Sequence, residues 1–404
     1  MNLDVKKMWP AAAMSIVALT TMLSAANSKS GNKCPAKDMG GPDREINPSV
    51  RPMTADACCC DEGEFVLTGS ALYWTAQQDG MEYAVLNKLG NDQYQGTLID
   101  AKYLNPDFKW NWGLKLGIGY NIPHDGWDVG AVWTHFRGRA SSHDDSDSED
   151  NETLLPLWSA FAPATTNPAG GPNTRGMLYA NEIDTSWKVT LDLVDIELGR
   201  EFWTSKYLTL RPFMGVRIGW IRQEFDLDHS GGTWGSTPAF NTTALNNYVS
   251  ISNDFTGAGL RGGLNGTWYF TKGWGLIGNV ALSVLYGRFS VDHDEYNRLA
   301  ESPFSKTHVV DTKDSFRACR AIADMLLGIQ YSTMFREETF GFMISLAWEQ
   351  HVFFNQNQMW RVNRVGDATA TEDAATAGLG ENVFMQRRGD LTTQGVTLTA
   401  TLVF

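Results

Sequence analysis

The chain closes on a run, residues 391–404, in which Val396, Leu398, Ala400, Leu402 and Phe404 share one face while Thr393, Gly395, Thr397, Thr399 and Thr401 share the other. Side chains that alternate with period two belong to an extended strand, because successive Cβ atoms point to opposite sides of the pleat. One face of this strand must therefore meet an apolar medium. The same period recurs wherever the chain is ordered. Residues 110–122 set Trp112, Leu114, Leu116, Ile118, Tyr120 and Ile122 against Gly113, Lys115, Gly117, Gly119 and Asn121. Residues 207–224 set Leu208, Leu210, Met214, Val216, Ile218 and Trp220 against Arg211, Phe213, Gly215, Arg217 and Gly219. Similar segments cover 65–76, 127–139, 184–202, 255–270, 274–289, 316–331 and 339–353, which predicts about ten antiparallel strands. Short turns at 123–126, 203–206, 271–273 and 334–337 alternate with long connections at 77–109, 140–183, 227–253, 290–315 and 354–390. A further strand pair hidden in 77–109 or 354–390 raises the number to about twelve.

Composition narrows the medium that those apolar faces meet. Glycine (39) and aromatics (15 Trp, 12 Tyr, 20 Phe) are abundant, yet the hydrophobic fraction is an ordinary 43%, and nothing after residue 26 reads as a membrane helix. At the amino end, Lys6 and Lys7 precede an apolar run over 8–23, and Ser24 and Ala26 supply the small residues of a cleavage site after Ala26. This is the pattern of a secretory signal peptide. An exported chain that enters lipid without helices must close its sheet, since hydrocarbon offers no water to an open edge. The terminal Phe404 resembles the signal read by the barrel-assembly machinery of bacterial outer membranes. Aromatics also fall into two groups. Trp127, Phe202, Trp203, Tyr207, Trp268, Phe270, Trp274, Tyr331, Phe340 and Phe404 lie at the short-turn end, and Trp133, Trp187, Trp220, Tyr286 and Trp348 lie toward the other, as the two interfacial girdles of a barrel require. A soluble sandwich explains the alternation but neither the girdles nor the alternating loop lengths.

The expected plan is a signal peptide over 1–26, a cysteine-containing periplasmic segment over 27–64, and an all-β antiparallel outer-membrane barrel over 65–404 with short periplasmic turns and long extracellular loops. Its medium is outer-membrane lipid. Cys34, Cys58, Cys59 and Cys60 precede the first strand and only Cys319 lies elsewhere. Neighbouring cysteines pair poorly with one another, so in an oxidising periplasm the four are candidates for a disulfide tether to Cys34 or to other chains. They lack the CxxC spacing of a zinc site, and no metal or cofactor is expected. Cys319 is placed on the lipid face.

The inward faces carry the candidate function. Lys115, Arg211, Arg217, Arg261, Arg320, Asp324 and Glu349 project into the lumen, where charged rings select ions. The competing reading of these residues is a salt-bridge network that fills a narrow barrel, because about eight strands enclose only side chains whereas about sixteen leave a channel. Inward Gly113, Gly117, Gly119, Gly257, Gly259 and Gly263 fit either reading. The net charge of −13 argues against nucleic acid. An omptin-like surface protease has candidate groups in His143 with Asp144 and Asp145, Asp228 with His229, and Asp292 with His293 and Asp294. No protease motif surrounds them, and the expectation is no enzyme. The run 144–152 lacks the glycine and spacing of an EF-hand.

Three stretches carry a family resemblance: Ala71-Leu-Tyr-Trp-Thr-Ala-Gln-Gln-Asp-Gly-Met-Glu-Tyr-Ala84; Val194-Asp-Ile-Glu-Leu-Gly-Arg200 followed by Leu210-Arg-Pro-Phe-Met-Gly-Val-Arg217; and Trp348-Glu-Gln-His351 with Asn355-Gln-Asn-Gln358. With them residues 65–404 resemble the Legionella major outer membrane protein family and the major-outer-membrane-protein-like chains of Chlamydia-related bacteria. The resemblance implies porin-like passage of small hydrophilic solutes or ions, or an adhesive and structural envelope role. It also implies envelope partners cross-linked by disulfides; homo-oligomers are expected besides, and the long loops at 140–183 and 362–390 are candidates to contact host surface ligands.

Overall fold

The computed structural model describes residues 63–89, 98–123, 126–146, 152–160, 179–232, 245–271, 273–335, 340–365 and 381–404. The signal-peptide segment and Cys34, Cys58, Cys59 and Cys60 lie outside the described residues. The strands, in chain order, are β1 (Glu64–Gln78), β2 (Ala84–Leu89), β3 (Leu98–Leu104), β4 (Trp110–Asn121), β5 (Trp127–Asp145), β6 (Glu152–Pro156), β7 (Glu182–Arg200), β8 (Phe202–Trp203), β9 (Leu208–Ser230), β10 (Leu245–Thr271), β11 (Trp274–Leu299), β12 (Lys306–Phe335), β13 (Phe340–Asn357), β14 (Trp360–Val365), β15 (Glu381–Gln386) and β16 (Gly389–Val403).

Ten of them form a closed antiparallel ring in the order β1-β4-β5-β7-β9-β10-β11-β12-β13-β16, with β16 returning to β1. The short β8 pairs with β9 as an extra strand. Closure satisfies the backbone without an edge. At the seam the Phe65 amide donates to the Phe404 carbonyl at 2.8 Å and the Phe404 amide returns the bond at 3.0 Å. Inside the seam Ser70 and Thr399 hydroxyls meet at 2.8 Å, and those of Thr68 and Thr401 at 3.3 Å. Outside it the Phe65 and Phe404 rings stack 6.3 Å apart. The strand pairs suspected in the long connections do form, as β2 with β3 and β14 with β15, but in small separate sheets. The barrel has ten strands.

Between the girdles the alternating faces read from the sequence point as expected. Leu260 is 74% exposed and Trp112 72% exposed on the outer wall, as are Met214, Leu282 and Leu327. Cys319 is a free, exposed thiol on that wall. One girdle contains Trp127, Phe202, Tyr207, Trp268, Phe270, Trp274, Phe340 and Phe404. The other contains Tyr73, Trp110, Trp112 and Trp348 in mutual ring contact, together with Trp133 and Tyr286.

Two expectations need correction. The connection placed at 290–315 is mostly strand: β11 runs to Leu299 and β12 starts at Lys306, leaving a turn at 300–305. β10, β11 and β12 have 27, 26 and 30 residues, whereas about 9–11 cross a bilayer. The reason is an inversion of polarity. Above the second girdle the outward positions become charged, as at Arg137, Arg222, Arg288 and Asp292, while inward Phe225, Phe255 and Phe289 are wholly buried. Strands that leave lipid for water keep their apolar face inside. Trp187 lies above that switch, so it belongs not to the girdle but to the interior, with its ring edge-on to Phe108 at 5.4 Å.

Inward Gly257, Gly259 and Gly263 yield their space to neighbours rather than to an open lumen. A Cβ on Gly259 would overlap the Val284 carbonyl, and one on Gly257 would strike the Phe255 ring. Gly259→Val is therefore expected to destabilise the barrel by about 1–3 kcal/mol or more, read as a lowered unfolding temperature of the folded band in detergent.

Candidate functional site: an ionic layer beneath an aromatic plug

The candidate site is the barrel interior. Its middle is a continuous layer of ion pairs. On β9, Arg217 forks onto Asp195 of β7, with Nε and Nη2 donating to the two carboxylate oxygens at 2.6 and 2.8 Å. The same guanidinium reaches Asp324 of β12, Nη2 lying 2.9 Å from Oδ2. Arg261 of β10 donates through Nη2 to Asp324 at 3.0 Å and also pairs with Glu197. Arg211 bonds Asp128 through Nε at 2.8 Å and lies 3.6 Å from Glu197. On the far wall Lys115 pairs with Glu349, which also accepts from the Thr397 hydroxyl at 2.8 Å. The Trp74 indole donates to that hydroxyl at 3.0 Å and lies under the Lys115 ammonium, 5.2 Å away.

His351 joins the two halves. Its Nδ1 is 2.7 Å from Asp324 and its Nε2 is 3.2 Å from Glu349. An imidazolium, with both nitrogens as donors, suits that placement. It would balance the layer, since Lys115, Arg211, Arg217, Arg261 and His351 face Asp128, Asp195, Glu197, Asp324 and Glu349. Strand alternation assembles it: inward positions of seven different strands converge, from Asp128 and Arg211 near the short turns to His351 above them. Arg217, Asp324, Glu349 and His351 are nearly or wholly buried, so each charge depends on its partners for solvation.

Of the seven charged residues expected inside, six join this layer. Arg320 stands apart, its Nη1 donating to the Cys319 carbonyl at 3.1 Å and its guanidinium 4.8 Å over the Phe289 ring. Asp128, Asp195, Glu197, Thr397 and His351 complete the layer and were not singled out from the sequence. Their inward parity was the available signal: Asp195 and Glu197 alternate with outward Val194, Ile196 and Leu198.

Above the layer the interior is an apolar plug. Leu72, Trp74, Phe136, Leu191, Ile221, Phe225, Phe255, Leu285, Phe289, Ile322 and Phe353 are inaccessible to solvent or nearly so. Over it, Met81, Tyr83, Leu154, Trp158 and Met359 of the long connections join the same core. Trp158 is held by a bond from its indole to the Glu82 carbonyl at 2.8 Å, with Arg361 5.3 Å from its ring. Glu295 fastens this cover, accepting from the Ser159 hydroxyl at 2.6 Å, the Ala160 amide at 2.7 Å and Asn247 at 2.8 Å. Beside these ion pairs Gly117, Gly119, Gly130, Asn265, Thr267 and Asn279 are partly accessible, Gly130 lying opposite Glu197 and Asn265 opposite Arg211. The lumen is thus occupied by paired charge toward the short turns and by aromatic rings above it.

Of the three suspected catalytic groups only His143 and Asp145 come together. Alternation sends Asp228 outward and His229 inward, and likewise separates His293 from Asp292 and Asp294. His229 is buried and bonded to Asn247 at 2.9 Å. On the outer wall His143 meets Asp184 at 2.8 Å and Asp145 at 3.3 Å, and these carboxylates raise its pKa. The donor atoms of His143, Asp145 and Glu182 lie within 4.8 Å of one another, close enough to share a divalent cation.

Removing one member of the layer should cost more than its bonds. Arg217→Met leaves Asp195 and Asp324 buried with one cation fewer, and a loss of about 3–5 kcal/mol in denaturant unfolding from lipid vesicles is expected. The extracellular extensions respond to acid. Burial pushes the pKa of His229 down from 6.5 to about 4. The unfolded chain takes up that proton near pH 6.5, so the stability His229 contributes is complete above that value and is lost as pH falls toward 4, on the order of 3 kcal/mol. Amide protection factors in the β9–β10 extensions should fall between pH 7 and pH 4.5, and His229→Gln should flatten the change.

Solved structures similar to the chain include the Escherichia coli outer membrane protease OmpT (10% identity, 84% of this chain and 96% of that chain covered, TM-score 0.33). Others are a major outer membrane protein of Thermus thermophilus (11%, 85% and 99%, TM-score 0.24) and the Pseudomonas putida toluene transporter TodX (10%, 86% and 91%, TM-score 0.22). At these TM-scores they carry no argument about function. Among curated proteins none matches. Residues 57–404 match the family described as Legionella pneumophila major outer membrane protein precursor. A closed ten-stranded barrel with two aromatic girdles, matched over nearly its whole length, belongs to the Legionella major outer membrane protein family and resides in the outer membrane.

Proposed function

We propose that this protein is a non-enzymatic envelope barrel, closed in its resting state, that presents its extended extracellular walls and loops at the cell surface. The observation that carries this reading is the aromatic plug: Trp74, Phe136, Phe225, Phe255 and Phe289 are each at most 1% exposed above a charge-paired layer. An ion entering from the periplasmic side would meet carboxylates and cations already neutralised by one another. It would then face a dry aromatic section, where a bare charge is very costly. In this reading the amino-terminal cysteines cross-link the barrel to other envelope chains, and the surface contacts host ligands.

Passage of small hydrophilic solutes or ions is the second reading, favoured by the partly accessible Thr, Asn and Gly positions among the ion pairs. It requires the cover around Trp158 and the plug beneath it to move. The two readings separate in planar lipid bilayers. Mature protein that is folded by gel mobility is expected to leave the membrane silent. Discrete conductance steps from the unmodified protein, altered by Lys115→Glu, would overturn the closed reading in favour of a porin.

A further inference from the structure

We propose that two patches of cationic side chains on the outer wall bind the phosphate groups of a phosphorylated lipid of the outer leaflet. The first patch spans β4, β5 and β7. Arg139 and Lys188 stand directly opposite each other, and Arg137 lies one outward step below Arg139. The Lys109 amide donates to the Arg139 carbonyl at 3.0 Å, while its Nζ holds the Ser141 hydroxyl at 2.7 Å. The second patch pairs Arg288 of β11 directly with Arg317 of β12, and Arg288 Nε donates to the Ser315 hydroxyl at 2.6 Å. All six cations are exposed.

Like charges facing across antiparallel strands repel, and little on the protein offsets this. Among the described residues no carboxylate forms an ion pair with Arg137, Arg139, Arg288 or Arg317. Lys188 alone has acidic company, at 3.7 Å from Glu224 and 3.8 Å from Asp226. Such pairs stand out in a chain of net charge −13.

Their depth selects the ligand. Arg288 follows outward Tyr286 by two residues, about 7 Å along a strand. Arg137 follows Trp133 by four, and Lys109 adjoins Trp110. Exposed Trp and Tyr rings of a barrel mark the headgroup level, so both patches lie at or just beyond the phosphate plane of the leaflet facing outward. Higher on the same walls the outward residues turn acidic, with Asp226, Asp228, Asp292, Asp294 and Asp311. A cationic belt bounded by aromatics below and carboxylates above matches an anionic headgroup layer. The planar forks of paired arginines match the tetrahedral phosphate oxygens.

The test uses the full mature chain in nanodiscs, with bisphosphorylated lipid A and the same lipid stripped of its phosphates as probes. Phosphorylated lipid is expected to be retained at least tenfold more tightly, with retention falling as salt rises. The double variants Arg137→Ala/Arg139→Ala and Arg288→Ala/Arg317→Ala should each lose tenfold in affinity at one of two sites, while Lys306→Ala, outside both patches, changes nothing. Equal retention of the two lipids by the unmodified protein, or salt-independent retention, would overturn the proposal without reference to any variant. Undiminished binding by folded double variants would do the same. Binding of inorganic phosphate at these arginines without preference for the lipid would reassign them to a soluble anion.

Discussion

Hydrocarbon cannot hydrogen-bond an exposed peptide group, and the rest of this structure depends on that. A sheet in lipid must have no edge, so the first and last strands have to meet, and the number of strands between them sets the volume enclosed. Ten is a small number for a channel. The interior that results is narrow enough for inward side chains from strands three places apart in the ring to touch, as Arg217 of β9 touches Asp324 of β12. Once contact across the lumen is possible, charges pair with one another rather than with water. The ionic layer is thus a consequence of closure at this circumference.

The second determinant is the change of solvent along each strand. Between the girdles the outer wall is greasy and the interior polar; beyond the upper girdle the arrangement reverses, and the extensions pack like a water-soluble barrel around their own aromatic core. The change is sharp. On β11, outward Tyr286 is followed by Arg288, while inward Leu285 is followed by Phe289 with a glycine between them. The plug therefore fills the extracellular extensions, with its lowest residues Leu72, Trp74, Leu285 and Ile322 at the level of the upper girdle.

Much of this was legible in the residues themselves. Period two gave the strands, their faces and their number, since every outward Leu, Ile or Val between the girdles had no other place to go. The extensions were illegible for a definite reason. A search for apolar residues at outward positions stops where those positions become Arg and Asp, although the alternation continues unbroken through His293 and Glu295 with its polarity reversed. The filling of the lumen was also beyond reach. Inward charge at Lys115 or Arg261 is compatible with a pore, and only the distances across the barrel show that Glu349 and Glu197 consume it. Trp187 was misplaced on the same grounds, an aromatic near a girdle that faces the opposite way.

The seam joins residues that are almost as far apart in the chain as two residues can be: the Thr68 and Thr401 hydroxyls that touch across it are separated by 333 positions. No partial ring satisfies both of its borders, so the last contacts to form are also the ones that complete the enclosure. Acquisition of this architecture is accordingly slow and cooperative. Until the final strand docks, the growing sheet exposes two unbonded borders, each a template on which another chain could pair.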